Sequence, residues 1–363
     1  MSIEERKRDH IRIALESESA QRGSNWLEYV HMIPRAVPDI NVNDVEISAT
    51  FLGRWFSAPF LIEGMTGGTE EGARINAVLA AAAERARIPM GVGSQRAGIV
   101  RPELRYTFRA AREAGQGAFL IANIGAAQLV KHGVGLAWEA VKMIEADALA
   151  IHVNLIQEII QPEGDREFRG FLKLARDVCR EIGVPVIVKE VGCGISYEDA
   201  VALKNIGISA VDVAGKGGTS WIEIERMRAL DAGRHDRARL AEVFTDWGIP
   251  TAASVLEAVK VEGLEVVGSG GIRNGLEVAK LLLLGASMGG MAMPFLRAAV
   301  RGVEEVENLV RQLGEELKVT MALCGATNLA EFKKTQYILT GRLREWVEQR
   351  AASRLSLGPQ PKL

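Results

Sequence analysis

Residues 265–293 read EVVGSGGIRNGLEVAKLLLLGASMGGMAM, and the order of apolar and glycine residues within this stretch decides the fold. An apolar run (Glu265–Gly268), a glycine turn, an amphipathic helix (Asn274–Leu284) and a second apolar run (Ala286–Met291) ending on Ala292 and Met293 make one βαβ unit. Gly268, Gly270 and Gly271 leave backbone N–H groups free to approach an anion, and Arg273 adds a fixed charge with a bidentate fork. The plain alternative is an ordinary tight βα turn. The dinucleotide fingerprint fails, because the position three after Gly270 is Arg273 and not Gly. The P-loop fails too, because Lys216 in AGKGGTS is followed by Gly217 where Ser or Thr is required. What remains is the phosphate site that a barrel makes from the loops after its seventh and eighth strands.

Working outward, the same rhythm repeats from Ala58 onward. Apolar runs at Ala58–Glu63, Pro89–Gly93, Gly117–Ala122, Asp147–Val153, Val184–Glu190 and Ser209–Ala214 precede the two above, which makes eight. Helical patterns separate them at Glu70–Ala86, Pro102–Ala114, Gly135–Glu145, Glu167–Glu181, Glu198–Asn205 and Asn274–Leu284. Eight β-then-α units predict an α/β fold, a closed (β/α)8 TIM barrel, with a doubly wound open sheet as runner-up. The division expected is an N-terminal arm and small hairpin over 1–57, a barrel over 58–300, C-terminal helices packed on it over 301–350 and a flexible tail over 351–363. Within the arm, Glu4–Leu15 has helical patterning and the hairpin falls in Asp44–Trp55. Two connections, Asn154–Asp165 and Gly215–Leu240, read as long loops, which in compact domains are more often functional than idle.

Composition bounds what such a barrel does. Of 363 residues, 48% are hydrophobic and 25% charged, enough for a large core, and the formal net charge of −2 argues against a nucleic-acid surface. Cys179, Cys193 and Cys324 are odd in number and widely spaced, which suits reduced thiols better than a disulfide scaffold or a zinc knuckle. The start, MSIEERKRDHIRIAL, is charged where a signal peptide needs an apolar core, and no run reaches the roughly 18 apolar residues of a membrane span. The expectation is a cytoplasmic protein.

Barrel enzymes draw their catalytic groups from the carboxyl ends of several strands. Here those ends carry Gly64-Met65-Thr66, Ser94-Gln95-Arg96, Asn123, His152 with Gln157 and Glu158, Lys189-Glu190, Gly215 to Ser220, Gly270 to Arg273, and Ala292-Met293. Lys189 closes the run VPVIV, where an ammonium needs a partner: Glu190 or a loop carboxylate, or else a negatively charged cofactor. Glu158 is either an exposed loop carboxylate or an oxygen ligand for Mg²⁺ held chiefly through substrate phosphates. His152 is a satisfied structural histidine or, beside a phosphate, a donor. Arg6 and Lys7 are a solvated helix face or an arm reaching a neighbouring subunit. No HExxH motif, triad signature or paired cysteine is present to support hydrolase chemistry.

RKRDH near the start, MTGG at 65–68, GVGSQR at 91–96, ANIG at 122–125, HVNLIQEIIQPEGD at 152–165, VIVKEVGCGIS at 187–196, VDVAGKGGTSW at 211–221 and GSGGIRNG at 268–275 together resemble the type 2 isopentenyl-diphosphate isomerase family. The resemblance runs from the basic arm to about Leu296 and implies an FMN-dependent barrel that interconverts isopentenyl and dimethylallyl diphosphate, with reduced flavin as acid–base catalyst. Carried over by motif, it implies Gly64, Met65, Thr66, Ser94, Asn123, Lys189, Thr219, Gly271, Ile272, Arg273, Ala292 and Met293 around FMN. It implies Arg6, Lys7, Ser94, Gln95, Arg96, His152 and Gln157 around the substrate, with Gln157, Lys189 and His152 closest to the chemistry and Glu158 on Mg²⁺. It further implies NAD(P)H as reductant and a homo-oligomer, tetramer or octamer. The residues offer two other readings. An FMN-dependent 2-hydroxyacid oxidase or dehydrogenase needs a histidine base and an arginine clamp, absent from AGKGGTSW. A non-catalytic phosphometabolite-binding barrel would not need so many polar strand ends.

Overall fold

A computed structural model of the chain describes residues 23–161 and 164–356. Arg6, Lys7 and the segment Glu4–Leu15 lie outside the described residues. Eight parallel strands close on themselves: β1 (Phe60–Ile62), β2 (Met90–Gly91), β3 (Leu120–Gly125), β4 (Ala148–His152), β5 (Val186–Lys189), β6 (Ala210–Asp212), β7 (Glu265–Ser269) and β8 (Met288–Met291). Each pairs with the next, and β8 returns to β1 through Gly289 opposite Phe60. Helices connect successive strands, so the expected (β/α)8 barrel is what the sequence builds and the open sheet is set aside.

Alternation along the strands explains both core and site. Phe60 and Ile62, Leu120 and Ala122, Leu149 and Ile151, and Val186 and Val188 face the helices. Leu61, Ile121, Ala148, Ala150, Ile187, Ala210, Val267 and Met288 fill the barrel interior. Two residues beyond that interior layer, on the same face, stand Glu63, Asn123, His152, Lys189, Asp212, Ser269 and Gly290. The apolar filling therefore gives way to a polar layer at the carboxyl end. Register aligns it: Gly125 lies opposite His152, His152 opposite Lys189, and Lys189 opposite Asp212.

At the other end of the barrel, a hairpin pairs Ala49–Phe51 with Arg54–Phe56. Phe51 and Phe56 are buried in the interior cluster, with the Phe56 ring edge-on to Phe119 at 5.3 Å between centroids. The Leu52 N–H donates to Glu265 Oε1 at 2.8 Å. Val30–Met32 pairs antiparallel with Tyr337–Leu339, which ties segments on either side of the barrel sequence together. The final helix, Gly341–Ser356, runs past Ala351, where the sequence suggested fraying.

Several boundaries differ from expectation. Leu155–Ile160 and Trp221–Asp231 are helices inside the two segments that read as loops, and a third helix, His235–Val243, begins inside the second. The helix Trp221–Asp231 is capped by Ser220, whose Oγ accepts from the Glu223 N–H at 3.3 Å. Strand β3 begins at Leu120 and not Gly117, because Ala118 N–H turns back to the Gly115 carbonyl. Strand β8 begins at Met288, because Ala286 N–H is still bonded to Leu281 at the preceding helix end.

Candidate active site

The carboxyl ends of the strands open into a cavity of about 480 Å³, of a size that suits a cofactor together with a small substrate. Gly64, Met65, Thr66, Ser94, Arg96, Asn123, His152, Gln157, Glu158, Lys189, Thr219, Gly271, Ile272, Arg273, Ala292 and Met293 all line it. Gln95 does not. Its side chain is fully buried, Nε2 donating to the Ala140 carbonyl at 2.9 Å and Oε1 accepting from Asn123 N–H at 2.8 Å, so it supports Asn123 from behind instead of meeting a ligand. This corrects the expectation of direct substrate contact by Gln95.

Lys189 is held by two carboxylates, Glu63 Oε2 at 2.8 Å and Asp212 Oδ2 at 2.5 Å. Burial alone would lower its pKa, but Asp212 and then Glu63 outweigh that and the ammonium is raised above its ordinary range. The neighbour Glu190 is not its partner. The Glu190 carboxylate caps the backbone N–H groups of Val191, Gly192 and Cys193, the first two at 2.7 Å. Burial pushes Glu190 up to about 7, against the pull of those amides. Register rather than sequence proximity brings Asp212 to Lys189, and Glu63 reaches it from the opposite side of the barrel.

Asn123 Nδ2 donates to the Val92 carbonyl at 3.0 Å, which leaves Oδ1 to accept from His152 Nδ1 at 2.7 Å and assigns the imidazole proton to Nδ1. On the helix Leu155–Ile160, Gln157 and Glu158 are both buried. Asn154 Nδ2 donates to Gln157 Oε1 and Glu158 Oε1, each at 3.1 Å. Glu158 Oε2 accepts from the Asp165 N–H at 2.8 Å. The Gln157 amide donates to Glu225 Oε1 at 3.0 Å, and Glu225 in turn binds Gln161 and Arg228. Asn154 follows His152 at the strand end and, like Trp221, stands in one of the quoted motifs, but the sequence assigns neither a role. Glu225 carries no signal in the sequence, because it lies on a helix inside a segment that reads as loop.

The loops expected to cradle a phosphate are two glycine loops packed backbone to backbone. A Cβ on Gly218 would lie 2.4 Å from the Gly271 nitrogen, and Gly271 itself has φ +80°, so neither position admits a side chain. Arg273 spans both loops, Nη1 donating to Gly271 O at 3.0 Å and Nη2 to Gly217 O at 3.5 Å. Asn25 docks against the same loops, its Nδ2 donating to Gly271 O at 3.0 Å.

The donor set fits a flavin phosphate and ring. Thr66 Oγ1 is buried and has no hydrogen-bond partner, a cost unless a ligand supplies one. Asn154 Oδ1, beside Glu158, is likewise buried without a partner. Among the described residues no group of three or more His, Cys, Asp or Glu is placed to hold a metal, so any Mg²⁺ would depend on Glu158 with ligand oxygens. No helix among the described residues is long and apolar enough to cross a membrane.

Residues 167–339 match the FMN-dependent dehydrogenase family. Over nearly its whole length the chain is similar to proteins named isopentenyl-diphosphate delta-isomerase. It is 44% identical to that of Ignicoccus hospitalis (96% of this chain, 97% of the relative). It is 46% identical to that of Pyrobaculum islandicum (96% and 99%) and 44% to that of Methanosarcina mazei (95% and 94%). Among solved structures it resembles a flavocytochrome b2 with sulfite bound (TM-score 0.65, 19% identity, 98% of this chain and 89% of that one). It also resembles a mandelate oxidase with an FMN adduct (TM-score 0.60, 19% identity, 92% of each). Those two likenesses show the fold alone.

Proposed function

The chain belongs to the isopentenyl-diphosphate delta-isomerase family, and on that premise we propose that it is an FMN-dependent isomerase interconverting isopentenyl and dimethylallyl diphosphate, with Mg²⁺ carried on the substrate. The observation that carries the reading is this family membership over nearly the whole chain, joined to one cavity on which the strand-end residues converge. The 2-hydroxyacid oxidase alternative rests on fold likeness alone and gives way to it.

In the forward direction a proton is added at the terminal methylene carbon and another is removed from the carbon on the far side of the double bond, with no net redox change. The alkene is barely basic, and no side-chain pair in the cavity is an obvious strong acid with a matching base. Reduced FMN, when bound, would supply a protonatable N5 and an electron-rich ring able to stabilise a developing tertiary cation. Thr66 Oγ1, Ser94 and Asn123 would bond the ring, and Thr219, Ile272, Arg273, Ala292 and Met293 would hold the ribityl chain and phosphate. Gly64, Met65 and Gly271 allow close approach. Lys189 would set its positive charge beside the ring. Arg96 and His152 would neutralise the substrate diphosphate, joined by Arg6 and Lys7 from the N-terminal arm. Glu158 would bind Mg²⁺, an oxygen-only choice suited to a hard cation. Gln157, its amide fixed by Glu225 and Asn154, would face the reacting carbon opposite the ring.

NAD(P)H as electron donor, a homo-oligomer of four or eight chains and a cytoplasmic setting complete the proposal. The test is anaerobic turnover of isopentenyl diphosphate with Mg²⁺ and either reduced or oxidised FMN. Turnover with reduced FMN alone is expected. A purified protein that stays colourless and takes up no added FMN would overturn the reading.

A further inference from the structure

Beneath the cavity, three ionisable groups share one buried cluster. Lys189 donates to Asp212 and to Glu63, and Asp212 Oδ1 also accepts a hydrogen bond from Ser269 Oγ. Glu63 is less well served. Its Oε1 has no hydrogen-bond partner and lies over Gly290, so close that a Cβ there would sit 2.0 Å from it. Of the interior layer, Lys189 and Asp212 are the titratable groups facing Glu63. His152 is turned to Asn123, and the remaining strands present Gly91, Asn123, Ser269 and Gly290. Two ionised carboxylates and one ammonium would leave a net buried negative charge, which a low-dielectric site disfavours. The carboxylate with more hydrogen bonds, Asp212, keeps the charge.

We infer that Glu63 is a positioning residue for Lys189: it is the proton-bearing carboxyl of the cluster, so that Lys189 is fixed from two sides while the cavity floor carries no net negative charge toward a bound flavin ring. Burial and the neighbouring Asp212, only partly offset by Lys189, raise Glu63 to about 8, in the same direction. An anionic reduced ring above a neutral floor is retained more readily than one above a negative floor. The part of the inference that concerns flavin rests on the proposed binding of FMN in this cavity.

Two measurements separate the cluster from the cofactor. Infrared titration of the FMN-free protein should show, at pH 7, a neutral-carboxyl C=O band beyond that of Glu190, read from the wild-type minus Glu63→Gln difference spectrum and fading as pH rises through about 8. That band should be missing in Glu63→Gln, where the Glu190 band, fading through about 7, remains. The Glu63 band should also vanish in Asp212→Asn, where Glu63 becomes the sole carboxylate of Lys189. If Glu63→Gln does not fold, Asp212→Asn and the wild-type titration carry the result. With FMN bound, the midpoint potential of the wild type should fall more steeply with pH across this interval than that of Glu63→Gln, the two curves meeting at lower pH. Absence of the Glu63 band in wild type at pH 7, or superimposable potential curves, overturns the inference. Failure of FMN to bind would sink the proposed function instead, and the infrared arm would still decide the state of Glu63.

Discussion

Lys189 shows how much one residue depends on others far away in sequence. Its two partners come from just past β1 and from β6, and removing the ammonium leaves the Glu63 carboxyl and the Asp212 carboxylate buried together without a cation. Lys189→Ala is therefore expected to lose FMN on gel filtration and to lose turnover, measured as residual absorbance and as product formed. Glu225→Gln should leave FMN uptake intact but lower kcat by about tenfold or more, since the Gln157 amide loses its charged acceptor; unchanged kcat would remove Glu225 from the site. Lys189 itself was legible as a polar residue closing an apolar run. Its pairing was not, because the adjacent Glu190 is turned onto the amides of its own loop and only barrel register brings Asp212 alongside. Gln95 misled for a related reason: it sits between two residues that line the cavity, yet its side chain is directed into the core.

At the level of elements, the strands were readable because their two faces are both buried, one by helices and one by the barrel filling, which writes continuous apolar runs into the sequence. The helices Leu155–Ile160 and Trp221–Asp231 were not readable. They pack polar side chains such as Gln157, Glu158 and Glu225 inward against the site, so the usual apolar stripe is broken. The same elements localise two expected outcomes. Gly218→Ala should abolish FMN phosphate affinity, measured by fluorescence titration, because the added methyl has no space beside the Gly271 amide. Phe51→Ala should cost about 3–5 kcal/mol in denaturant unfolding, the usual range for a large aromatic removed from a filled core. A loss of only a few tenths would mean the hairpin does not support the barrel.

Across the whole molecule, two buried acids with raised pKa values link stability to pH. Glu63 and Glu190 rise from an ordinary 4.5 to about 8 and about 7. Acids shifted upward by folding contribute stability that is complete below the unfolded value and is lost as pH climbs through the folded one. Glu190→Gln removes one such loss. Relative to wild type, its FMN-free form should gain stability between the unfolded Glu190 value of 4.5 and the folded value of about 7, up to about 1.4 kcal/mol per pH unit inside the window, and a constant difference across that range would contradict it. The barrel also has a stopper. With Phe51 and Phe56 wedged in the far end, the described residues leave the carboxyl end of the barrel as the doorway. If the proposed nicotinamide donor acts on this chain, it and the diphosphate would share that threshold, so isopentenyl diphosphate should slow the anaerobic bleaching of bound FMN by a nicotinamide donor in a competitive manner.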